Sequence, residues 1–114
     1  IIAASAGNHA QGVALSASKL GIKSIIVMPT PTPKIKIDSV KSLGAEVILF
    51  GDAYDDAYEY AIKKSKKDKI EFIHPYDDID DIAGQGTKAQ EILHQSLNKV
   101  DYILQFIDNK FYLQ

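Results

Sequence analysis

The first twelve residues of the chain read Ile1-Ile2-Ala3-Ala4-Ser5-Ala6-Gly7-Asn8-His9-Ala10-Gln11-Gly12. The apolar start is typical of a buried strand, and the small residues after it predict a tight turn into a helix. A helix that begins directly after such a turn has unpaired backbone N–H groups in its first turn, and these favour a bound anion. Residues 5–9, called the loop 5–9 below, are therefore the first candidate binding site.

Two common phosphate-binding motifs do not fit the loop 5–9. A nucleotide P-loop needs Lys and Ser/Thr after its second glycine, but Gly12 is followed by Val13 and Ala14. The dinucleotide fingerprint G-x-G-x-x-G needs a second glycine where His9 stands. The loop is better suited to a carboxylate or to a ring that carries a hydroxyl group. Without a ligand, the same stretch would be a plain helix start capped by Asn8.

Strand and helix patterns alternate along the rest of the chain. The predicted strands cover residues 1–4, 24–28, 46–50, 71–73 and 100–107. The predicted helices cover 10–21, 33–44, a segment that runs from an Asp52 cap into the lysines of 63–69, and 89–97. Apolar strands separated by helices imply parallel pairing, so the fold class is α/β, with a three-layer αβα arrangement. Ligands of such sheets bind at the C-terminal ends of the strands, where the loop 5–9 lies.

Several blocks of sequence resemble the serine/threonine dehydratases, which are pyridoxal-phosphate enzymes of fold type II related to the tryptophan synthase β chain. These blocks are Ser5-Ala6-Gly7-Asn8-His9-Ala10-Gln11-Gly12-Val13-Ala14, Val27-Met28-Pro29 with Pro33 and Lys36, Gly44-Ala45-Glu46-Val47, His74-Pro75-Tyr76-Asp77-Asp78, Ile82-Ala83-Gly84-Gln85-Gly86-Thr87 and Glu91-Ile92-Leu93. They follow one another in the order that the family has. The resemblance implies that residues 1–83 are the small, substrate-loop domain, that 84–107 start the crossover to the large cofactor domain, and that 108–114 are a divergent tail.

The resemblance also implies a reaction and a cofactor. It implies β-elimination of water from L-threonine or L-serine, followed by deamination to a 2-keto acid, with pyridoxal 5′-phosphate as cofactor. The complete enzyme would be a cytoplasmic homo-oligomer, with a role in isoleucine biosynthesis.

The site residues are carried over from the family position by position. The substrate-binding residues would be Ser5, Ala6, Gly7, Asn8 and His9, with the Ser5 hydroxyl and the loop N–H groups on the substrate carboxylate. Asn8 would also bond the ring oxygen of the cofactor, and Tyr76 would lie near the cofactor. Ala6 separates relatives, because serine racemases often carry a second serine there as an acid/base and alanine cannot move a proton.

The chain departs from the family in two places. The lysine that holds the cofactor precedes the loop in the family, upstream of Ile1, and no residue here matches it. The Gly-rich phosphate cup expected after the last strand is replaced by Asp108-Asn109-Lys110-Phe111-Tyr112-Leu113-Gln114, and the resemblance ends after Leu104. We therefore expect no catalytic residue in this chain, and we expect it to be an inactive excerpt of a dehydratase. Two alternatives stay open: a serine racemase or another β-eliminating relative, and a non-catalytic α/β binding or regulatory module.

Composition limits the other function classes. The 114 residues carry a net charge of −2, which argues against nucleic-acid binding. The chain has no cysteine, and its three histidines lack metal-ligand spacing, so no metal site is expected. No apolar run reaches membrane-spanning length.

Three side-chain clusters are interpreted as ordinary surface or packing. The acidic residues of 77–81 lack the Gly and Glu of a calcium loop, so we expect a solvated stretch that caps a helix. The tyrosines at 54, 58 and 60 are expected to pack a helix, and the lysines of 63–69 to form a solvated helix end.

Overall fold

The computed structural model describes residues 1–96 and 99–103. They belong to two compact units, Ile1–Pro75 and a second unit that begins at Tyr76. The first unit contains β1 (Ile2–Ala4), α1 (Asn8–Leu20), β2 (Ile25–Met28), α2 (Lys34–Ser42), β3 (Glu46–Leu49) and α3 (Tyr54–Asp68). The second unit contains α4 (Ile79–Gln95). The predicted domain boundary between residues 83 and 84 lies inside α4 and stays a prediction.

The sheet of the first unit is parallel and has the strand order β1-β2-β3. Ile2 lies opposite Ile25, and Ile25 lies opposite Glu46. Parallel neighbours need a crossover, which α1 supplies between β1 and β2 and α2 between β2 and β3. The predicted parallel α/β fold is confirmed.

Side chains that follow one another along a strand point to opposite faces of the sheet. Both faces of this sheet are buried by helices. One face packs against α1 and α2 in a cluster of Ala3, Ala10, Val13, Ala14, Ile26, Met28, Val40 and Ala45. The other packs against α3 in a cluster of Ile2, Ala4, Val27, Ala57 and Ala61. The three layers are therefore α1 with α2, the sheet, and α3.

Helix α1 ends as its sequence predicts. Gly21 has φ 66°, in the left-handed region that suits glycine. Its N–H donates to the Ser18 carbonyl at 3.2 Å, and the Ile22 N–H donates to the Ala17 carbonyl at 2.9 Å. These bonds satisfy carbonyl groups that the helix end would otherwise leave unpaired.

Two predicted capping residues are wrong. Gly7, not Asn8, is the N-cap of α1, and Asn8 is the first helical residue. At α3 the N-cap is Ala53 rather than Asp52. The Asp56 carboxylate reaches back from the first turn and accepts hydrogen bonds from the N–H groups of Asp52 and Ala53, at 3.0 and 3.1 Å. Asp56, the third helical residue, thus satisfies the N–H groups of the N-cap residue and of the residue before it, as the acidic member of a capping box does.

The predicted fourth strand is reduced to a single bridge. Phe72 pairs in parallel with Ile2. The Ile2 N–H donates to the Glu71 carbonyl at 2.8 Å, and the Ile73 N–H donates to the Ile2 carbonyl at 2.9 Å. The pairing stops before Pro75, which has no N–H to donate.

Helix α4 begins ten residues earlier than predicted, at Ile79 instead of residue 89. Asp78 is its N-cap and accepts a hydrogen bond from the Asp80 N–H at 2.8 Å, so the acidic stretch does cap a helix, as expected. The predicted strand 100–107 has no counterpart in its described part, 100–103. Leu97, residues 104–107 and the predicted tail 108–114 lie outside the described residues.

Candidate functional site

The loop 5–9 follows β1 at the carboxyl edge of the sheet, and its last two residues, Asn8 and His9, are the first two residues of α1. The Ser5 N–H donates to the Val27 carbonyl of β2 at 3.1 Å, which fixes the start of the loop against the neighbouring strand. The Ser5 hydroxyl oxygen accepts a hydrogen bond from the Gly7 N–H at 3.2 Å. The loop is thus tied to the sheet at its first residue and turned sharply at its third.

The start of α1 presents several backbone donors. Its first intrahelical bond runs from the Gln11 N–H to the Gly7 carbonyl, at 3.4 Å. The N–H groups of Asn8, His9 and Ala10 precede this bond, so α1 offers no carbonyl to any of them. Together with the positive end of the helix dipole, they form an arrangement that attracts an anion.

Space in front of the turn is open at Gly7. Among the described residues, no atom beyond its chain neighbours and its own helix lies within 4 Å of the point where a Gly7 Cβ would stand. Ser5, Ala6 and His9 are half-buried, whereas Asn8 is exposed. The exposed Asn8 amide, beside an open turn lined by N–H donors, suits a small group that carries a carboxylate or a hydroxyl.

The structure brings the five predicted substrate-binding residues together, because they are consecutive. Tyr76 belongs to the second unit, where 52% of it is exposed. Its predicted contact with the cofactor stays a prediction.

One polar pair was not anticipated from the sequence. The Tyr58 hydroxyl of α3 lies 3.2 Å from His74 Nε2. Their rings, and that of Phe72, pack edge to face with centroids 5.5 to 6.1 Å apart. The two partners are sixteen residues apart in sequence, so no local pattern links them. Tyr58 and Tyr60 pack against the α3-side core, which confirms the helix-packing interpretation of both.

The lysine-rich end of α3 contains two ion pairs between neighbouring turns. Lys63 Nζ lies 3.2 Å from Glu59 Oε2, and Lys64 Nζ lies 2.7 Å from Asp68 Oδ2. The hydrogen bond that Lys64 donates to the Asp68 carboxylate raises the pKa of Lys64, and the same bond lowers the pKa of Asp68. Lys64 is half-buried, but the other lysines of this segment, Lys63, Lys66, Lys67 and Lys69, are exposed, which confirms the predicted solvated helix end.

Neither a metal site nor a membrane helix is found in the described part of the chain. Within residues 1–96 and 99–103, no group of three His, Cys, Asp or Glu side chains is placed to hold a metal ion. No helix in these ranges is long and apolar enough to cross a membrane.

The fold and the loop define a class of protein. The sequence pattern of the family described as "Pyridoxal-phosphate dependent enzyme" matches residues 1–107. The chain therefore belongs to this family. The match runs three residues past Leu104, so the expectation that the resemblance ends at Leu104 is wrong.

Individual relatives narrow the class. The chain is 55% identical over 96 residues to "Threonine dehydratase biosynthetic, chloroplastic" of Arabidopsis thaliana, an alignment that covers 84% of this chain and 16% of that protein. Among solved structures, the processed form of threonine deaminase isoform 2 from Solanum lycopersicum is 52% identical with a TM-score of 0.79, over 83% of this chain and 26% of that one. Maize serine racemase is 33% identical with a TM-score of 0.78, over 83% and 29% of the two chains. This chain thus corresponds to a small part of each relative.

Proposed function

We propose that this chain is part of a pyridoxal-phosphate-dependent L-threonine/L-serine dehydratase, and that the loop 5–9 binds the carboxylate of the amino-acid substrate. The observation that carries the proposal is the set of backbone donors to which α1 offers no carbonyl, at a helix start where no described atom other than those of neighbouring residues lies within 4 Å of the Gly7 Cβ position. The 55% identity to a threonine dehydratase supports the reaction class, and the lower 33% identity to a serine racemase does not favour the racemase alternative. Membership of an enzyme family likewise does not favour a non-catalytic binding module.

The loop 5–9 has enough hydrogen-bond donors to bind a carboxylate. The Ser5 oxygen already accepts the Gly7 N–H, so its own proton remains available for a carboxylate oxygen. The N–H groups of Asn8 and His9 add charge-assisted bonds, which are stronger than bonds between neutral groups. A carboxylate held at three points fixes the direction of the substrate Cα–H bond, which is the bond to be broken.

Asn8 is the residue of this chain best suited to a cofactor ring. Its amide is exposed at the first helical position, next to the open turn, and can bond a ring hydroxyl. When bound, pyridoxal phosphate supplies an electron sink for the charge left when the α-proton departs. We assign the cofactor-holding lysine and the Gly-rich phosphate cup to no residue of this chain, and we therefore propose that the chain alone is inactive. Tyr76 is proposed as a second cofactor neighbour.

The proposal extends to the whole protein. Residues 1–83 would form the small domain and 84–107 would lead towards the cofactor domain. The complete protein would be a homo-oligomer that acts on free amino acids in the cytoplasm.

Loss of the loop side chains tests the proposal. The matching segment of the full-length Arabidopsis threonine dehydratase is replaced by that of this chain, to give the grafted enzyme. In it, Ser5→Ala and Asn8→Ala should each lower kcat/KM for L-threonine by roughly 10- to 100-fold, since a hydrogen bond to a charged group is lost. Ser16→Ala, on the exposed side of α1, is the matched control and should have no effect. Full efficiency in both loop variants, or an inactive grafted enzyme, would contradict the proposal.

Ala6 tests the choice between elimination and racemisation. Racemisation needs a proton donor on the second face of the substrate, and the Ala6 methyl group has no proton to give. The grafted enzyme should release 2-keto acid from L-serine with little D-serine, and Ala6→Ser should raise D-serine formation while elimination continues. Chiral chromatography of the remaining serine measures both. Abundant D-serine before the substitution would support a racemase.

A further inference from the structure

One face of α3 lines a cavity that the proposed function does not use. This cavity, called the lysine cavity below, has a volume of about 280 Å³ and is lined by Tyr60, Lys63, Lys64, Lys67 and Asp68. The five positions are spaced so that they share one face of the helix. Helix α3 starts after the carboxyl end of β3 and runs back towards the amino edge of the sheet, before the segment that pairs with β1. The lysine cavity therefore lies apart from the loop 5–9.

Positive charge is concentrated in this part of a slightly acidic chain. Residues 59–69 contain five lysines and only two acidic residues, Glu59 and Asp68, whereas the whole chain carries a net charge of −2. Of the charged side chains that line the cavity, three are lysines and one is an aspartate. A concave surface with an excess of one charge attracts ions of the opposite charge. The lysine cavity is therefore suited to an anion.

Two of the three ammonium groups are held in place before any ligand binds. Lys63 Nζ lies 3.2 Å from the Glu59 carboxylate, and Lys64 Nζ lies 2.7 Å from that of Asp68, with 26% of the Lys64 side chain exposed. Lys67 has no carboxylate within 4 Å among the described residues. Side chains that are already ordered lose little conformational freedom when a ligand binds. The cavity thus combines two ordered cations with a third that no close carboxylate balances.

Tyr60 adds a hydroxyl group on a fixed ring. Its ring stacks on that of Phe50, with centroids 4.3 Å apart, and packs against the α3-side core. A phosphate monoester has three terminal oxygens and a charge of about −1.5 to −2 at neutral pH. It can therefore accept hydrogen bonds from three ammonium groups and a hydroxyl at once. A carboxylate has two oxygens and a single charge, and it would leave part of the positive charge unmatched.

We infer that the lysine cavity binds a phosphate group, held by its three lysines and by the Tyr60 hydroxyl. The volume lies just below the roughly 300 Å³ at which pockets for drug-sized ligands begin, so the ligand is small. Free inorganic phosphate and a small organic phosphate monoester share this chemistry, and the experiment below distinguishes them. The inference does not depend on the proposed dehydratase function, because none of the residues that carry it belongs to the loop 5–9.

Calorimetric titration with two probes tests the inference. The purified chain and the grafted enzyme loaded with its cofactor are each titrated with inorganic phosphate and with phenyl phosphate, while chloride keeps the ionic strength constant because salt screens exposed charges. The variants are Lys67→Gln, the double variant Lys63→Gln with Lys67→Gln, and Tyr60→Phe. The matched control is Lys19→Gln, which removes the same charge from the last turn of α1. The melting temperature of each variant is measured without phosphate.

Lys67→Gln should raise the dissociation constant by about 5-fold, and the double variant by about 20-fold, because each loses a charge-assisted bond at a partly exposed site. Tyr60→Phe should raise it by about 3-fold, and Lys19→Gln should leave it within about 2-fold. Lys67→Gln should not lower the melting temperature without phosphate, since Lys67 forms no ion pair among the described residues. Tighter binding of phenyl phosphate would identify an organic monoester as the ligand, and equal binding would identify free phosphate.

Three results would overturn the inference. The first is that neither probe binds more tightly than chloride. The second is that Lys19→Gln weakens binding as much as Lys67→Gln, because the attraction would then come from general surface charge. The third is that the purified chain binds phosphate and the grafted enzyme does not, because the cavity would then be covered in a longer protein. None of these results bears on the dehydratase proposal, which the Ser5→Ala and Asn8→Ala variants test.

Discussion

Helices α1 and α4 both contain apolar residues at helical spacing, but only α1 buries them. Ala10, Val13, Ala14 and Ala17 of α1 lie within the core, against the sheet. Helix α4 has no buried residue, and its Ile79 is 82% exposed. The two helices show that periodicity predicts a helix and an apolar face, whereas burial of that face depends on a neighbouring surface. Tertiary packing therefore stabilises α1, and within the described residues α4 depends on local bonds such as its Asp78 cap.

The largest loss of stability is expected for a substitution in the core beneath α1, compared with a substitution on the exposed surface of α4. Ile26 of β2 is fully buried, so Ile26→Ala should lower the free energy of unfolding by about 2–5 kcal/mol through lost contacts and a cavity. Ile79→Ala on α4 is the matched control and should change it by less than about 0.5 kcal/mol. Urea unfolding of the purified chain measures both. Similar losses in the two variants would show that α4 is packed as tightly as the sheet.

Much of the first unit can be predicted from its sequence because its signals are local. Gly21 ends α1 and Pro33 directly precedes α2, as expected, and the short apolar runs form strands. The carboxyl edge of the sheet, and with it the loop 5–9, follows from the parallel arrangement. Predictions fail where several residues compete for one role, as when Asp56 rather than Asp52 serves the start of α3.

Two features could not be predicted from the sequence: the start of α4 at Ile79, and the burial of the His9 ring nitrogen Nε2, which has no hydrogen-bond partner among the described residues. The reasons differ. Gly84 and Gly86 have low helix propensity and hide the helical pattern between Ile79 and residue 89. The burial of His9 Nε2 depends on the ring orientation and on neighbours that no spacing rule identifies. The Tyr58 to His74 contact likewise requires the three-dimensional fold.

Two glycines sharpen the comparison of α1 with α4, because their substitutions should have opposite signs. Gly21 has φ 66°, where alanine is strained, so Gly21→Ala should destabilise the chain by about 1–2 kcal/mol. Gly86 lies inside α4 with no atom within 4 Å of its Cβ position among the described residues, so Gly86→Ala should stabilise α4 by about 0.5–1 kcal/mol. Thermal unfolding, followed by far-ultraviolet circular dichroism, measures whether each substitution lowers or raises stability. A loss in both would mean that α4 needs its glycine for close contact.

The smallest effect is expected at the solvated end of α3. The lowered pKa of Asp68 means that its charge stabilises the fold above the pKa of an unfolded aspartate, and that this is lost as pH falls through the folded value. The raised pKa of Lys64 means that its charge stabilises the fold below the pKa of an unfolded lysine, and that this is lost as pH rises through the folded value.

Asp68→Asn should therefore lower the melting temperature slightly at neutral pH and not at strongly acidic pH, where Asp68 is protonated. Because the pair lies at the surface and its side chains are still 26% and 33% exposed, solvent screens it, and the change should be smaller than that of either glycine substitution. Asp55→Asn, in the first turn of the same helix, is the control for loss of a carboxylate. A difference that persists unchanged in strong acid would rule out the ion pair as its cause.

Because β1 is short, the chain should tolerate insertions and deletions poorly next to this strand. Its three residues are all fully buried and alternate between the two core clusters, and Ser5 follows at once. Inserting or deleting one codon before Ser5 would exchange the faces of Ile2 and Ala3 and draw a loop residue into the sheet. The exposed stretch 21–23 between α1 and β2 can absorb the same change. The gene should therefore accept length variation after α1 and reject it before the loop.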